Sequence, residues 1–265
     1  MYGDFTFVNN VIFNYRHRTV DGGDHRSAFN VINNYFKPGP GTPATAVAYR
    51  LLKPESERSK VVFDNFGKAY VAGNFVEGFP KVSSDNWAGG VQPESKAPVE
   101  QVLPNIRMNE PFAHAELLID SAQDAYAVVL ANAGATRPVR DLVDQRVVEM
   151  VHSGKVTDTQ IAPGSTAKAA AVGYASKYVD ELSKMVQQGF ITDPSEVGGY
   201  PKYAGQPYVD QDADGLPDDW ERGYGLDPSD SRDAITDKDG NGYTNVEEFI
   251  NAHDSAIDAG HSSER

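Results

Sequence analysis

Between Phe5 and Tyr35 apolar and polar residues alternate with the period of two that a β-strand produces, because successive side chains point to opposite faces. The pattern predicts Phe5, Phe7, Asn9, Val11 and Phe13 on one face and Thr6, Val8, Asn10, Ile12 and Asn14 on the other. A second segment of this kind runs over residues 28–35 and a third over residues 69–76. The pair Asn9-Asn10 recurs 24 residues later as Asn33-Asn34. Short strands ending in Asn at this period suggest coils of a parallel β-helix, in which Asn amides stacked at equivalent corners bond one another and the turn backbone. Ordinary strands with Asn in their turns would give the same local pattern. Both readings stay open on pattern alone.

Residues 37–58, opening on Lys37-Pro38-Gly39-Pro40-Gly41, read as a long loop, and residues 77–110 are similarly rich in Pro, Gly and Ser. The period then changes. Residues 121–133 and 138–153 are predicted helical, the second with apolar residues at 139, 142, 143, 147, 150 and 151 and Gly154 as its stop. Residues 167–188 are a further predicted helix ending at Gly189, residues 191–207 a linker, and the last dozen residues a fraying tail.

Composition narrows the function classes. With 40% apolar and 10% aromatic residues the 265-residue chain can build one large domain and a small appendage. A formal charge of −14 argues against nucleic acid and anionic membrane surfaces as partners. Much of the acid lies after residue 205, where cations are the expected partners. The absence of cysteine excludes disulfides, thiolate metal sites and Cys nucleophiles. No stretch approaches the length of a membrane span, and no signal peptide is visible after Met1. The expectation is a cytosolic protein, or a mature or truncated form of a longer one.

Two twelve-residue segments carry the most specific chemistry. The first places Asp210, Asp212, Asp214, Asp218 and Glu221 at positions 1, 3, 5, 9 and 12, with Gly215 at position 6. The second places Asp237, Asp239, Asn241, Asn245 and Glu248 in the same slots, with Gly242 at position 6 and a start 27 residues after the first. This is the spacing of EF-hand-type calcium loops: a hard cation takes six to eight oxygens, and Gly permits the sharp turn. The carbonyl at position 7, here Leu216 or Tyr243, ligates, and the last Glu can bind through both oxygens. Against a merely solvated acidic surface, two complete matches favour calcium. Position 8 is Pro217 or Thr244 rather than a branched apolar residue, so a structural calcium clasp is expected rather than a sensor that opens.

Arg16-His17-Arg18 and Asp24-His25-Arg26 flank Gly22-Gly23 between the first two Asn-marked segments. Such a cluster could meet uronate carboxylates, since Arg pairs with a carboxylate through two parallel bonds, or could simply pair with Asp21 and Asp24. His114 and His152 stand alone and read as structural. The sequence contains no Gly-rich phosphate loop, nucleophile elbow or zinc-spaced His cluster.

The run Phe5-Thr-Phe-Val-Asn-Asn-Val-Ile-Phe-Asn-Tyr15, then Asp21-Gly-Gly-Asp24 and Asn30-Val-Ile-Asn-Asn-Tyr-Phe-Lys-Pro-Gly-Pro40, resembles bacterial pectate lyases of the polysaccharide lyase 1 type. Tyr70-Val-Ala-Gly-Asn74 and Asp85-Asn-Trp87 are similar to later coils of that family, and residues 134–146 and the Asp-x-Asp-x-Asp-Gly-x-Pro-Asp-x-Trp-Glu run to its downstream portion. The resemblance implies a right-handed parallel β-helix, a secreted location, and calcium-assisted β-elimination of de-esterified pectin, an acidic plant polysaccharide. It also implies a catalytic Arg-x-Pro-Arg segment just before the strand matching residues 5–14, which this sequence does not contain. The expectation is therefore the downstream fragment of a lyase or a short divergent relative, with catalytic residues unknown and Arg16, Arg18 and Arg26 as substrate contacts at most.

The expected fold is mainly β: β-helix coils over 1–118, a helical extension and linker over 119–200, and a paired EF-hand-like calcium module over 207–252. The alternative function is a non-catalytic, calcium-stabilised carbohydrate-binding or attachment module. A dockerin is one version, but its recognition positions 10 and 11 usually carry small hydroxyl residues, and here they are Asp219-Trp220 and Val246-Glu247.

Overall fold

Three short parallel sheets organise the strand-rich region. In the computed structural model β1 (Gly3–Val8), β4 (Ser27–Ile32) and β7 (Lys68–Ala72) form one sheet. β2 (Val11–Phe13), β5 (Tyr35–Lys37) and β8 (Phe75–Val76) form the second, and β3 (Val20–Gly22) with β6 (Leu52–Pro54) the third. Successive coils stack in register: Phe5 lies beside Phe29 and Ala69, and Val11 beside Tyr35 and Phe75. Parallel bridges from Leu52 to Val91 and from Ala69 to Arg107 extend the first and third sheets by one more turn of chain. This arrangement is compatible with the β-helix coils expected from the Asn repeat.

The structure describes residues 3–17, 19–23, 25–56, 65–134, 140–156, 184, 188–191 and 207–250. The predicted helix over 167–188 and most of the linker over 191–207 lie outside them. The chain divides into two compact units, Met1–Pro201 and Lys202–Arg265, so the helices described between residues 119 and 156 belong to the same unit as the strands.

The period-two face is corrected at each Asn. Phe5, Phe7 and Ile12 pack on the core, as do Phe29, Val31 and Phe36, then Ala69, Val71 and Val76. Val11 and Phe13 therefore do not share the face of Phe5. The cause is a corner: Asn9 and Asn33 have left-handed φ of 54° and 49°, and Gly73 occupies the same corner at 68°. A left-handed residue turns the chain into the next sheet and resets the alternation. At Gly73 only hydrogen fits, since a Cβ there would collide with the Asn33 amide.

The Asn after each corner is the internal support. Asn34 Oδ1 accepts from the backbone N–H and the amide of Asn10, at 2.9 and 3.0 Å. Asn74 does the same for Asn34 at 3.0 and 2.9 Å, and Asn86 for Asn74 at 2.9 and 2.9 Å. Asn34, Asn74 and Asn86 are buried, so each amide stands where water cannot substitute for it.

Residues 37–58 are not one loop. Leu51 and Leu52 are fully buried, β6 pairs with β3, and a 3₁₀ turn covers Ala46–Tyr49. Residues 77–110 contain α1 (Pro80–Ser84) and α2 (Val99–Ile106). Pro80 starts α1 where no N–H partner is required, and α2 presses Val102 and Ile106 onto the core. α3 (Ala122–Asn132) begins at the Ser121 cap, and α4 (Leu142–Ser153) begins at Asp141, later than residue 138, and ends at Gly154 in the left-handed region. Of the apolar positions predicted for α4, Met150 and Val151 are buried, whereas Leu142 is 74% exposed. Lys37, almost wholly buried on β5, ties these helices to the strands: its ammonium pairs with Glu77 at 3.3 Å and donates to the His152 carbonyl at 3.2 Å.

The second unit has little core. Leu216 and Ala234 are its buried apolar residues among those described. Trp220 stacks on Tyr224 at 4.6 Å and meets Phe249 edge-on at 5.3 Å. Among the described residues no helix is long and apolar enough to cross a membrane.

Candidate metal centre

The two calcium-type loops have the same backbone frame. In the first, the Asp218 N–H donates to the Val209 carbonyl at 2.9 Å; in the second, the Asn245 N–H donates to Thr236 at 2.8 Å. Asp218 Oδ1 accepts from the Gln211 N–H at 2.8 Å, and Asn245 Oδ1 from the Lys238 N–H at 3.2 Å. Gly215 and Gly242 take φ of 99° and 97°, the conformation that position 6 requires. α5 (Asp218–Tyr224) follows the first loop, and residues 245–250 are helical after the second. Residues 207–209, just before the first loop, have no regular structure, and a 3₁₀ turn, Asp233–Ile235, precedes the second. Among the described residues no β-bridge joins position 217 to 244.

The first loop gathers carboxylates. Asp210, Asp212 and Asp214 bring one oxygen each within 4.8 Å of one another, and so do Asp214, Glu221 and Asp233. Both oxygens of Asp212 and of Glu221, Oδ2 of Asp214 and Oδ1 of Asp233 are buried without a hydrogen-bond partner. Glu221 is fully buried. Burial pushes its carboxyl up to about 7, helped by the charges of Asp214, Asp212, Asp233 and Asp218. The Asp212 carboxyl is raised too, by desolvation and then by Asp214. Anions massed out of water without donors are what a bound cation corrects. The donor set is entirely oxygen, which suits a hard divalent ion and excludes a soft one.

Individual ligand slots differ. Asp210 already accepts from the N–H groups of Asp214 and Gly215 at 3.3 and 3.1 Å. Both oxygens of Asp218 are committed: Oδ1 to Gln211, Oδ2 to Arg222 at 2.9 Å. The Leu216 side chain is fully buried beneath the loop. Asp233 fell outside the sequence motif, and spacing gave no signal for it.

The second loop is more open. Asp237 accepts from Gly240 and Gly242 at 2.7 and 2.9 Å, and the Gly242 N–H above all holds its carboxyl below the usual range. Asp239 accepts from the Asn241 N–H at 3.2 Å, and the Asn241 amide reaches Glu248 at 2.8 Å. Asn245 is buried and gives its amide to the Asp233 carbonyl at 2.8 Å, while Tyr243 is exposed. The carboxylate groups that close around a common point, among the described residues, all belong to the first loop and Asp233.

The basic turn lies in the other unit. Arg16 and Arg26 are exposed on either side of β3, and Arg18 lies outside the described residues. The His17 carbonyl accepts from Arg50 at 2.8 Å. His114 and His152 are exposed, and neither is a member of a metal-capable group among the described residues.

No protein-family model matches the chain. Among curated proteins it is similar to "Probable pectate lyase C" of Aspergillus flavus, with 30% identity over 251 residues, covering 93% of this chain and 48% of that protein. The protein of the same name from Aspergillus oryzae gives the same figures, 30% over 251 residues, 93% and 48%. That from Aspergillus fumigatus is 26% identical over 254 residues, covering 93% and 47%. The chain thus spans about half the length of the relatives it matches, and these relatives are fungal, whereas the resemblance drawn from the motifs was to bacterial enzymes.

Proposed function

We propose that this chain belongs to a secreted pectate-lyase-type protein that engages polygalacturonate, the de-esterified form of pectin, with its parallel sheets forming right-handed β-helix coils. The observation that carries the proposal is a similarity to proteins named pectate lyase C that runs through both units, over 93% of the chain. The stacked Asn34, Asn74 and Asn86 support it from the fold side, because a repeated corner is what continuous coils need.

The reaction of such a protein is a β-elimination, in which a base removes the proton beside the uronate carboxylate and the glycosidic oxygen departs. Calcium, when bound at the substrate, supplies charge neutralisation of that carboxylate. A chain of net charge −14 repels a polyanion, so contact falls to cations and to exposed arginines such as Arg16 and Arg26, with Arg18 between them in sequence. No catalytic role is assigned to these three. The Arg-x-Pro-Arg run expected of the family does not occur in these 265 residues, and turnover by this chain alone is expected to be weak or nil.

The calcium loops hold the second unit together in this proposal. Asp210, Asp212, Asp214, the Leu216 carbonyl and Glu221 hold one ion, and Asp237, Asp239, Asn241, the Tyr243 carbonyl and Glu248 another. Asp218 and Asn245 brace their loops. The decisive experiment pairs two measurements on polygalacturonate with and without calcium: ultraviolet absorbance of unsaturated product, and retardation in a polygalacturonate affinity gel. Retardation that weakens in Arg16→Ala/Arg26→Ala supports the proposal; neither product nor retardation at any calcium level refutes it.

A further inference from the structure

We propose that the first loop holds two cations rather than one, with Asp214 shared between them, Asp210 and Asp212 on one side and Glu221 and Asp233 on the other. The inference rests on the calcium reading of the second unit and adds to it a position outside the loop motif.

Oxygens bound to calcium lie about 2.4 Å from the ion, so two ligands of one ion are at most about 4.8 Å apart. Asp210, Asp212 and Asp214 satisfy that limit among themselves, and Asp214, Glu221 and Asp233 satisfy it as a separate group. One carboxylate, Asp214, belongs to both. Two overlapping centres are the arrangement that these groups describe.

Each group contains buried oxygens without a hydrogen-bond partner. Glu221 is fully buried with both oxygens unpartnered, so both can serve the ion it holds with Asp214 and Asp233. Asp212 likewise has both oxygens buried and unpartnered. Asp233 is aimed by its surroundings: the Asp227 N–H fixes Oδ2 at 2.9 Å, leaving Oδ1 buried and unpartnered. The turn holding Asp227 is itself tied to the first loop, because the Leu226 N–H donates to the Glu221 carbonyl at 2.8 Å. Asp218, at the ninth loop position, belongs to neither group, and its oxygens accept from Gln211 and Arg222.

Charge points the same way. Five carboxylates (Asp210, Asp212, Asp214, Glu221 and Asp233) make up the two groups. One divalent ion leaves three negative charges uncompensated around a buried Glu221, whereas two leave one. Uncompensated buried charge is among the costliest features a fold can carry.

The test uses the full chain, stripped by chelation and titrated with calcium in flow dialysis. With the second loop also occupied, three ions per chain are expected. Asp233→Asn retains an oxygen for the Asp227 N–H and should lose one ion or weaken it at least about tenfold, because a charged ligand becomes neutral. Glu248→Gln should affect a different ion. Manganese supplies a second readout that no purely structural role would move: a carboxylate-bridged pair gives spin-coupled resonance lines, present in the parent and in Glu248→Gln, absent in Asp233→Asn. No calcium bound by the parent chain overturns the calcium reading as a whole. Calcium bound, with uncoupled manganese in the parent or an unchanged ion count in Asp233→Asn, overturns the second cation alone.

Discussion

Replacing Asn34 by Ala should destabilise the first unit far more than the same change at Asn10, the partly exposed end of the ladder. Asn34 makes four side-chain hydrogen bonds: it accepts from the N–H and amide of Asn10, and donates to the Phe7 carbonyl and to Asn74 Oδ1, at 2.9 Å each. Its side chain is fully buried. At a net ~1 kcal/mol per bond, with no water to replace them, Ala should cost about 4 kcal/mol. That is a large part of a typical total of roughly 5–15 kcal/mol. For a unit of this size the fall in Tm should be roughly 8–16 °C, at about 2–4 °C per kcal/mol.

Asn10→Ala is the internal comparison. It loses amide bonds to Val8 and Asn34 at 2.9 and 3.0 Å, yet the site is half-exposed, so water takes over and the cost should be about 1 kcal/mol. Asn132→Ala removes a bond within α3 on the surface and should stay within about 0.5 kcal/mol. Urea unfolding at saturating calcium, followed by tryptophan fluorescence in a Trp220→Phe background, confines the signal to Trp87. That indole is buried and donates to the Val71 carbonyl at 3.0 Å inside the same unit. Equal losses at Asn34 and Asn10, or a loss below about 1 kcal/mol at Asn34, would show that the ladder follows the coil stacking instead of supporting it.

Three further outcomes follow from the second unit. Glu221→Gln should stabilise the metal-free unit by removing a buried, unpartnered charge, yet weaken calcium binding about tenfold or more; calorimetry with and without chelator reads both signs, and stabilisation in both states would be fatal. Glu221 also sets a pH dependence: its folded pKa, about 7, lies above the ordinary value of 4.5, so the folded metal-free unit binds the extra proton. Its metal-free stability should therefore fall as pH rises from 4.5 to 7, and calcium, competing with that proton, should bind more tightly over the same range; a flat Trp220 unfolding profile in chelator would contradict this. Ala213, held at φ 61° where the second loop has Gly240 at 77°, should gain roughly 1 kcal/mol on change to Gly, measured as a rise in the unit's Tm.

Much of the strand unit was legible because the Asn repeat is both local and spaced. Asn9-Asn10 and Asn33-Asn34 mark two corners, and Asn74 the third, each between apolar residues in alternation. The phase of that alternation was not legible, because a single left-handed residue at Asn9 or Asn33 reverses it and leaves no trace in an apolar–polar string. Leu51-Leu52 is buried between Arg50 and Lys53, and a three-residue strand is too short to display a period. Asn86 was reached through the Asp85-Asn-Trp87 resemblance and not through the alternation. It closes the ladder after a helix, α1, so no strand pattern surrounds it.

For the candidate metal centre, the loop motif pointed to Asp210, Asp212, Asp214 and Glu221 because calcium ligation from a single loop would impose a fixed spacing. Asp233 obeys no such spacing; it is brought in by Asp227 and Leu226, whose backbone bonds fold the intervening segment over Glu221. Asp218 shows the converse, a residue in the right slot whose oxygens serve Gln211 and Arg222. The two units then differ in what satisfies their buried polar atoms. In the first, each Asn amide is answered by the next, so the coils need nothing from solution. In the second, six buried carboxylate oxygens on Asp212, Asp214, Glu221 and Asp233 have no donor within the protein. Among the described residues of that unit only Leu216 and Ala234 are buried and apolar, too little hydrophobic burial to offset such a deficit. On the proposed calcium reading its stability should follow the concentration of free calcium, while that of the strand unit should not, and chelation followed separately at Trp220 and Trp87 checks both.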